Sequence, residues 1–151
     1  MKKLPMTDAD TVRFTGIAGR IKFFSSMSMA LLEKILAWVT LCEYGKGERI
    51  CAQGDPGDAF YAIESGAVSV KVKRGFLPFP KKIADLGPGD FFGEMALLSR
   101  QPRNATVTCE EPTRVFVLLA DHFEAAAKEN PRFAEEIRKL AGERGAGSEQ
   151  K

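Results

Sequence analysis

Three patterns of apolar and polar positions follow one another along the chain. Residues 1–20 are mostly polar and read as a short helix. Thr7 and Asp10 stand at the spacing of a capping box, in which a hydroxyl and a carboxylate satisfy free backbone N–H groups, and Gly16 and Gly19 weaken the helix end. Ile21-Lys22-Phe23-Phe24-Ser25-Ser26 is an apolar corner without a period. From 27 to 39, Leu32, Ile35, Leu36 and Val39 return at helical spacing, with Ser26 or Ser28 as the cap.

From Val39 to Leu119 the pattern changes to short apolar or alternating runs. They predict strands at Thr40–Tyr44, Glu48–Ala52, Ala59–Glu64, Ala67–Lys73, Lys82–Leu86, Ala105–Cys109 and Arg114–Leu119. The breaks between them are rich in Gly, Pro and Asp, notably Gly54-Asp55-Pro56-Gly57-Asp58 and Gly87-Pro88-Gly89-Asp90. These residues permit positive φ, fix φ, or bond their own backbone, so each break is a turn with a mechanism. Many short strands at near-regular spacing point to a barrel or jelly roll rather than a parallel sheet. The last part returns to helix. Asp121 and Glu124 have capping-box spacing ahead of Phe123, Ala126 and Ala127. A second helix begins at Asn130-Pro131, with Phe133, Ile137 and Leu140 on one face, and the end from Gly142 reads as a frayed tail.

Composition narrows the function classes. The 151 residues carry 22 Lys+Arg against 20 Asp+Glu, a formal net charge of +2, which excludes a generally basic nucleic-acid binder. No apolar run reaches the ~20 residues needed to cross a bilayer. Asp8 and Asp10 fall where the apolar core of a signal peptide would lie, so a cytoplasmic protein without membrane insertion is expected. Cys42, Cys51 and Cys109 are odd in number and lack C-x-x-C spacing, and they read as buried free thiols. His122 is the single histidine, and Glu94 has no second carboxylate placed for acid–base hydrolysis. No enzyme and no cofactor or metal site is expected.

One stretch breaks the strand pattern. Between two strand regions, Phe92-Gly93-Glu94-Met95-Ala96-Leu97-Leu98 reads as a helical turn opened by glycine, and Arg103 follows Pro102. N–H groups at a helix start favour an anion, and Gly93 lets that backbone approach a ligand closely. An arginine grips a phosphate with two parallel donors, and Glu94 is an acceptor suited to a sugar hydroxyl. Phosphate donors beside a ribose acceptor describe a nucleotide site. Spacing alone equally allows a helix start with dipole-favoured Glu94 and a surface arginine paired to it.

The run F-G-E-M-A-L-L-x(4)-R-x-A-T, Phe92 to Thr106, closely resembles the phosphate-binding cassette of cyclic nucleotide-binding domains. Such domains occur in catabolite-activator-type transcription factors, cAMP-dependent kinase regulatory subunits and cyclic-nucleotide-regulated channels. The resemblance extends over the I-x-F-F corner, G-D-P-G-D, the E-S-G-A-V-S-V hairpin and G-P-G-D, and the R-K-L-A-G-E-R-G ending is most similar to bacterial potassium-channel members. It implies a mainly β fold with flanking helices: an eight-stranded β-roll with N-terminal helices and two C-terminal helices. The divisions would be an N-terminal helical segment 1–20, the binding domain 21–144 and a flexible tail 145–151. It implies that Arg103 pairs with the cyclic phosphate and that Gly93, Met95 and Ala96 supply backbone contacts beside Phe92. Glu94 would accept from the ribose 2′-hydroxyl, and Asn104 and Ala105 would complete the cradle. Val70 would line the base pocket, with Val68 and Val72 as core neighbours. Arg144 would stack on the purine, the alternative for an arginine in a glycine-rich tail being solvation. A threonine after the arginine often accompanies cGMP preference, so Asn104 points to cAMP, and its mixed donor and acceptor character leaves cGMP open.

The expected protein is then a cyclic nucleotide receptor, monomeric, that signals through movement of its C-terminal helix to a protein effector. The Met1 start and polar first helix favour a stand-alone sensor over the sensor of something larger. The alternative is a ligand-free interaction module docking through the Phe76–Phe79 loop. There Lys71, Lys73, Arg74, Lys81 and Lys82 surround Gly75-Phe76-Leu77-Pro78-Phe79-Pro80, either guarding a strand edge or contacting a partner or an acidic surface.

Overall fold

A computed structural model describes residues 1–25, 27–98, 100–129, 131, 132, 134, 135 and 139. The strands are β1 (Lys2–Leu4), β2 (Thr40–Tyr44), β3 (Arg49–Cys51), β4 (Ala59–Ser65), β5 (Val68–Val72), β6 (Lys81–Leu86), β7 (Phe91–Phe92), β8 (Thr106–Cys109) and β9 (Thr113–Leu119). The helices are α1 (Asp8–Ala18), α2 (Lys22–Ser25), α3 (Met29–Leu36), α4 (Met95–Leu98) and α5 (Ala120–Lys128). All strand pairings are antiparallel, in one sheet of order β1-β2-β9-β4-β7 and a second of order β3-β8-β5-β6. This is a mainly β roll with flanking helices, as the sequence implies, made of two sheets rather than one closed barrel.

The central pair β4–β9 is buried on both faces. Phe60 and Ala62 stand opposite Leu118 and Phe116 and face the helices, whereas Tyr61 and Ile63 stand opposite Val117 and Val115 and face the second sheet. Two apolar clusters therefore share one spine. The first gathers Phe14, Ile17, Phe24, Leu32, Ile35 and Phe123 around Phe60 and Phe116, and the second fills the space between the sheets with Val68, Val70, Ala105 and Val107. Phe14 meets Phe116 edge to face at 5.5 Å.

The capping box of α1 forms: the Asp10 N–H donates to Thr7 Oγ1 at 3.1 Å and the Thr7 N–H to Asp10 Oδ2 at 2.9 Å. Ser28 caps α3, with the Leu31 N–H donating to its hydroxyl at 3.3 Å. Four expectations need correction. Residues 1–20 are not helical throughout, because Lys2–Leu4 pair with β2. The corner after Ile21 is a single helical turn, α2. Phe91–Phe92 form a further short strand against Tyr61 and Ala62. The box expected at Asp121 and Glu124 is absent: α5 starts at Ala120, its cap Leu119 makes no side-chain bond, and both carboxylates accept from Arg100 instead. The cysteines are free thiols, with Cys42 and Cys109 buried and Cys51 half-buried. Phe133, Ile137 and Leu140 of the expected second C-terminal helix, and the tail 145–151, lie outside the described residues.

The Thr7 backbone N–H, and then its hydroxyl, hold the Asp10 carboxyl below its ordinary 3.8. A carboxyl lowered on folding contributes stability above its unfolded value, lost as pH falls through the folded one. Thr7→Ala is expected to cost about 1 kcal/mol at about pH 7 and somewhat less at acid pH, where the Thr7 hydroxyl bond to the ionised Asp10 is lost but its cap bond from the Asp10 N–H remains, read from denaturant midpoints. Phe116→Ala is expected to cost about 3–5 kcal/mol in the same assay, independent of pH.

Candidate functional site

The site is built where β7 leaves the first sheet and β8 enters the second. Phe92, the last residue of β7, stacks on Tyr61 of β4 with ring centroids 5.0 Å apart. Gly93 then turns the chain at φ 82°, a region costly for any residue with a Cβ. A Cβ there would also lie 2.5 Å from Arg103 Nη1 and 2.8 Å from the Ala59 carbonyl oxygen. The short helix α4 follows, its first bonds running from the Ala96 N–H to the Gly93 carbonyl at 3.0 Å and from the Leu97 N–H to the Glu94 carbonyl at 3.1 Å. Glu94, Ala96 and Leu97 are buried, and Leu97 belongs to the helix-side cluster that contains Phe60 and Phe123.

Arg103 lies in the loop before β8, and its side chain is only 8% exposed. Two backbone bonds fix it to the Gly54–Asp58 turn: the Arg103 N–H donates to the Asp55 carbonyl at 2.7 Å, and the Gly54 N–H donates to the Arg103 carbonyl at 2.8 Å. The same turn approaches α4 closely, since a Cβ on Gly57 would run into the Gln101 carbonyl and lie 3.7 Å from Ala96 Cβ. The guanidinium donates from Nη2 to the Ala59 carbonyl at 2.6 Å and lies over the Tyr61 ring, 5.5 Å from its centroid. The Asp58 carboxylate stands 3.8 Å from Nη2 and is two-thirds exposed. Arg103 Nε is buried and has no hydrogen-bond partner among the described residues. Burial pushes the Tyr61 phenol up to about 12, the arginine's charge pulling the other way, and the Cys51 thiol is raised for the same reason against the same opposition. Both stay neutral near pH 7, so neither serves as a counter-ion to the guanidinium.

The expected residues converge only in part. Phe92, Gly93, Glu94, Met95, Ala96, Arg103, Asn104 and Ala105 lie along one continuous loop and helical turn, with Asn104 exposed and Ala105 buried. Val70 pairs with Val107 and Ala84 and packs in the inter-sheet cluster with Ala105. Arg144 lies outside the described residues. Sequence reasoning passed over Ala59, Tyr61 and the Gly54–Asp58 turn as partners of Arg103. The usable signals were the density of turn residues at 54–58 and a tyrosine, with its polar hydroxyl, among the apolar residues of Ala59–Ile63. A cleft of about 380 Å³ between α1 and the end of β4, where Arg13 and Glu64 pair at 2.7 Å, is lined by none of these residues. Among the described residues no group of three or more His, Cys, Asp or Glu is placed to hold a metal, and no helix is long and apolar enough to cross a membrane.

The two-sheet roll thus sets a glycine-turned helical segment beside a buried arginine. The family model of the cyclic nucleotide-binding domain matches residues 41–130, from β2 into the segment after α5, and the chain belongs to that family. A cyclic nucleotide-gated potassium channel of Mesorhizobium japonicum is 35% identical over 89% of this chain and 36% of its own length. One from Rhizobium etli is 34% identical over 91% of this chain and 37% of its own. The chain thus spans little more than a third of these channels. The cAMP co-crystal structure of the regulatory domain of Toxoplasma gondii PKA shares the fold, with a TM-score of 0.69 and 24% identity over 93% of this chain and 52% of that one.

Gly93→Ala is expected to lower stability by about 1–3 kcal/mol in denaturant titration, because backbone strain and the approach of Arg103 and Ala59 act together. An unchanged midpoint would mean that the turn relaxes freely and does not hold Arg103 in place.

Proposed function

We propose that the chain is a non-enzymatic cyclic nucleotide receptor that binds cAMP, with cGMP as the alternative. It would act in the cytoplasm and report occupancy through its C-terminal helices to a protein effector. One observation carries the reading: the Arg103 guanidinium is buried beneath the Gly93 turn, donates to the Ala59 carbonyl, and has no hydrogen-bond partner for Nε among the described residues. A buried cation with spare donors is costly until an anion meets it, and a phosphate offers acceptors matched to the guanidinium fork. Glu94 would accept from the ribose 2′-hydroxyl. Backbone N–H groups of Gly93, Met95 and Ala96 would complete the phosphate contacts, that of Ala96 leaving the Gly93 carbonyl to do so. Asn104 and Ala105 close the loop behind them, and Val70 reaches the base from the second sheet. The relatives named as nucleotide-gated channels and the cAMP-bound structural neighbour support the ligand class.

Transmission follows from packing. Leu97 and Phe123 share a cluster, so a shift of α4 is felt by α5. Arg100 bridges the same gap, with Nη2 at 2.7 Å from Asp121 and Nε at 3.1 Å from Glu124. A ligand biases this arrangement only by its differential affinity for the two states.

Calorimetric titration with cAMP and then cGMP is expected to give binding tighter than about 10 μM, roughly −7 kcal/mol. Arg103→Ala should remove about 2–5 kcal/mol of it, as the phosphate loses its buried partner. No heat and no thermal shift at roughly millimolar nucleotide would end this reading. Trp38, the only tryptophan, stacks on His122 of α5 at 4.3 Å. Its emission is expected to change on saturation with cAMP, and an unchanged spectrum would argue against displacement of α5.

A further inference from the structure

We propose that the tip of the β5–β6 hairpin docks on a bilayer surface carrying anionic lipid headgroups, through Phe76, Leu77 and Phe79 flanked by a collar of cations. Phe76 is fully exposed (106%), Phe79 is 79% exposed and Leu77 60%, and nearby Ile83 is half exposed. Large apolar side chains scattered singly need no explanation, whereas three at one hairpin tip do. Lys71, Lys73, Arg74, Lys81 and Lys82 stand on the two strands and shoulders beneath the tip, and no Asp or Glu occurs from 71 to 84. Asp85 is paired with Lys82 at 3.1 Å and offsets one charge of the five. The patch is therefore basic in a chain whose net charge is only +2.

Shape selects the occupant. The apolar groups project from the turn of a two-stranded hairpin, so a rigid protein partner would need a matching pocket, whereas the headgroup and upper acyl region accommodates a convex tip. Aromatic side chains with cations beside them suit that interface, and the cations face the negative surface potential. Pro78 and Pro80 restrict the tip, which limits the conformational freedom lost on contact. The base is held as well: Gln53 Nε2 donates to the Lys73 carbonyl at 3.0 Å, and the Lys73 N–H donates to Gln53 Oε1 at 2.8 Å. This is a surface contact and needs no spanning segment.

Vesicle co-sedimentation of the full chain tests it, comparing phosphatidylcholine alone with phosphatidylcholine containing about a third phosphatidylserine. Binding is expected only to the anionic vesicles and should weaken steeply as salt rises. Phe76→Ser with Phe79→Ser should lower it at least about tenfold, and Lys73→Glu with Arg74→Glu by a similar factor. All four side chains are exposed, so melting temperature and nucleotide binding should not move, and this separates failure of docking from failure of the nucleotide reading. No sedimentation with anionic vesicles, or binding indifferent to both double variants, overturns the proposal. So does Phe76-dependent capture of an acidic protein by a chain that ignores anionic vesicles.

Discussion

The guanidinium of Arg103 is kept out of water by a set of constraints that do not complete its hydrogen bonding. The Ala59 carbonyl takes one donor, the Tyr61 ring covers a face, and Nε has no partner. Such a state is unfavourable by itself, so it persists only because the surrounding backbone leaves no alternative. The Gly54–Asp55 turn clamps Arg103 through two main-chain bonds, and the absence of a Cβ on Gly93 and on Gly57 lets three segments meet within van der Waals contact. On the proposed reading, an anion arriving at this point would relieve a cost already present in the fold.

That clamp is anchored to the β4–β9 pair. β4 supplies the Ala59 carbonyl and the Tyr61 ring toward Arg103, and its next residues Phe60 and Ala62 face the helices. Because strand side chains alternate between faces, consecutive residues of one strand touch the site and the helical layer. A ligand-linked movement near Arg103 therefore has two short routes outward. One runs through the rigid strand to Phe60, and the other through Leu97 to Phe123. Ala120 strengthens the second, since its N–H donates to the carbonyl of Asp58, next to Ala59, at 2.9 Å.

Most of the strand order was legible because each break carried residues with a fixed conformational preference. Thr40–Tyr44 was read to the residue, and the other runs were read to within one or two positions. β1 and β7 were not, since two or three residues hold no measurable period and Lys2–Leu4 is a strand only because β2 offers an edge. The Asp121 and Glu124 spacing was real but ambiguous. The same geometry that satisfies a helix N-terminus also holds a guanidinium, and Arg100 arrives from 21 and 24 residues away to take both carboxylates. The glycine, the helical turn and the arginine of the candidate site were visible as a pattern. The burial of that arginine was not, because it arises from Ala59 and Tyr61, 44 and 42 positions earlier in the chain, and only the fold brings them to it.

The cations of this chain fall into two regimes that answer to different physics. Arg103 is desolvated, so its attraction for an anion would be strong and little affected by added salt. Lys73, Arg74, Lys81 and Lys82 are exposed at a hairpin, where attraction is spread over several charges and is screened within about 8 Å at physiological ionic strength. The first regime favours one small ligand held by geometry, and the second favours an extended charged surface held by number. The two are not structurally remote. Gln53 binds the Lys73 backbone with its side chain and donates its own N–H to Thr106, and the turn it opens is the one bonded to Arg103. Immobilising the hairpin against a surface would therefore stiffen the turn that holds the arginine, and a pre-stiffened site loses less conformational freedom when its ligand arrives. By linkage the same coupling would run in the other direction, so on the two proposed readings an occupied site would favour the ordered hairpin.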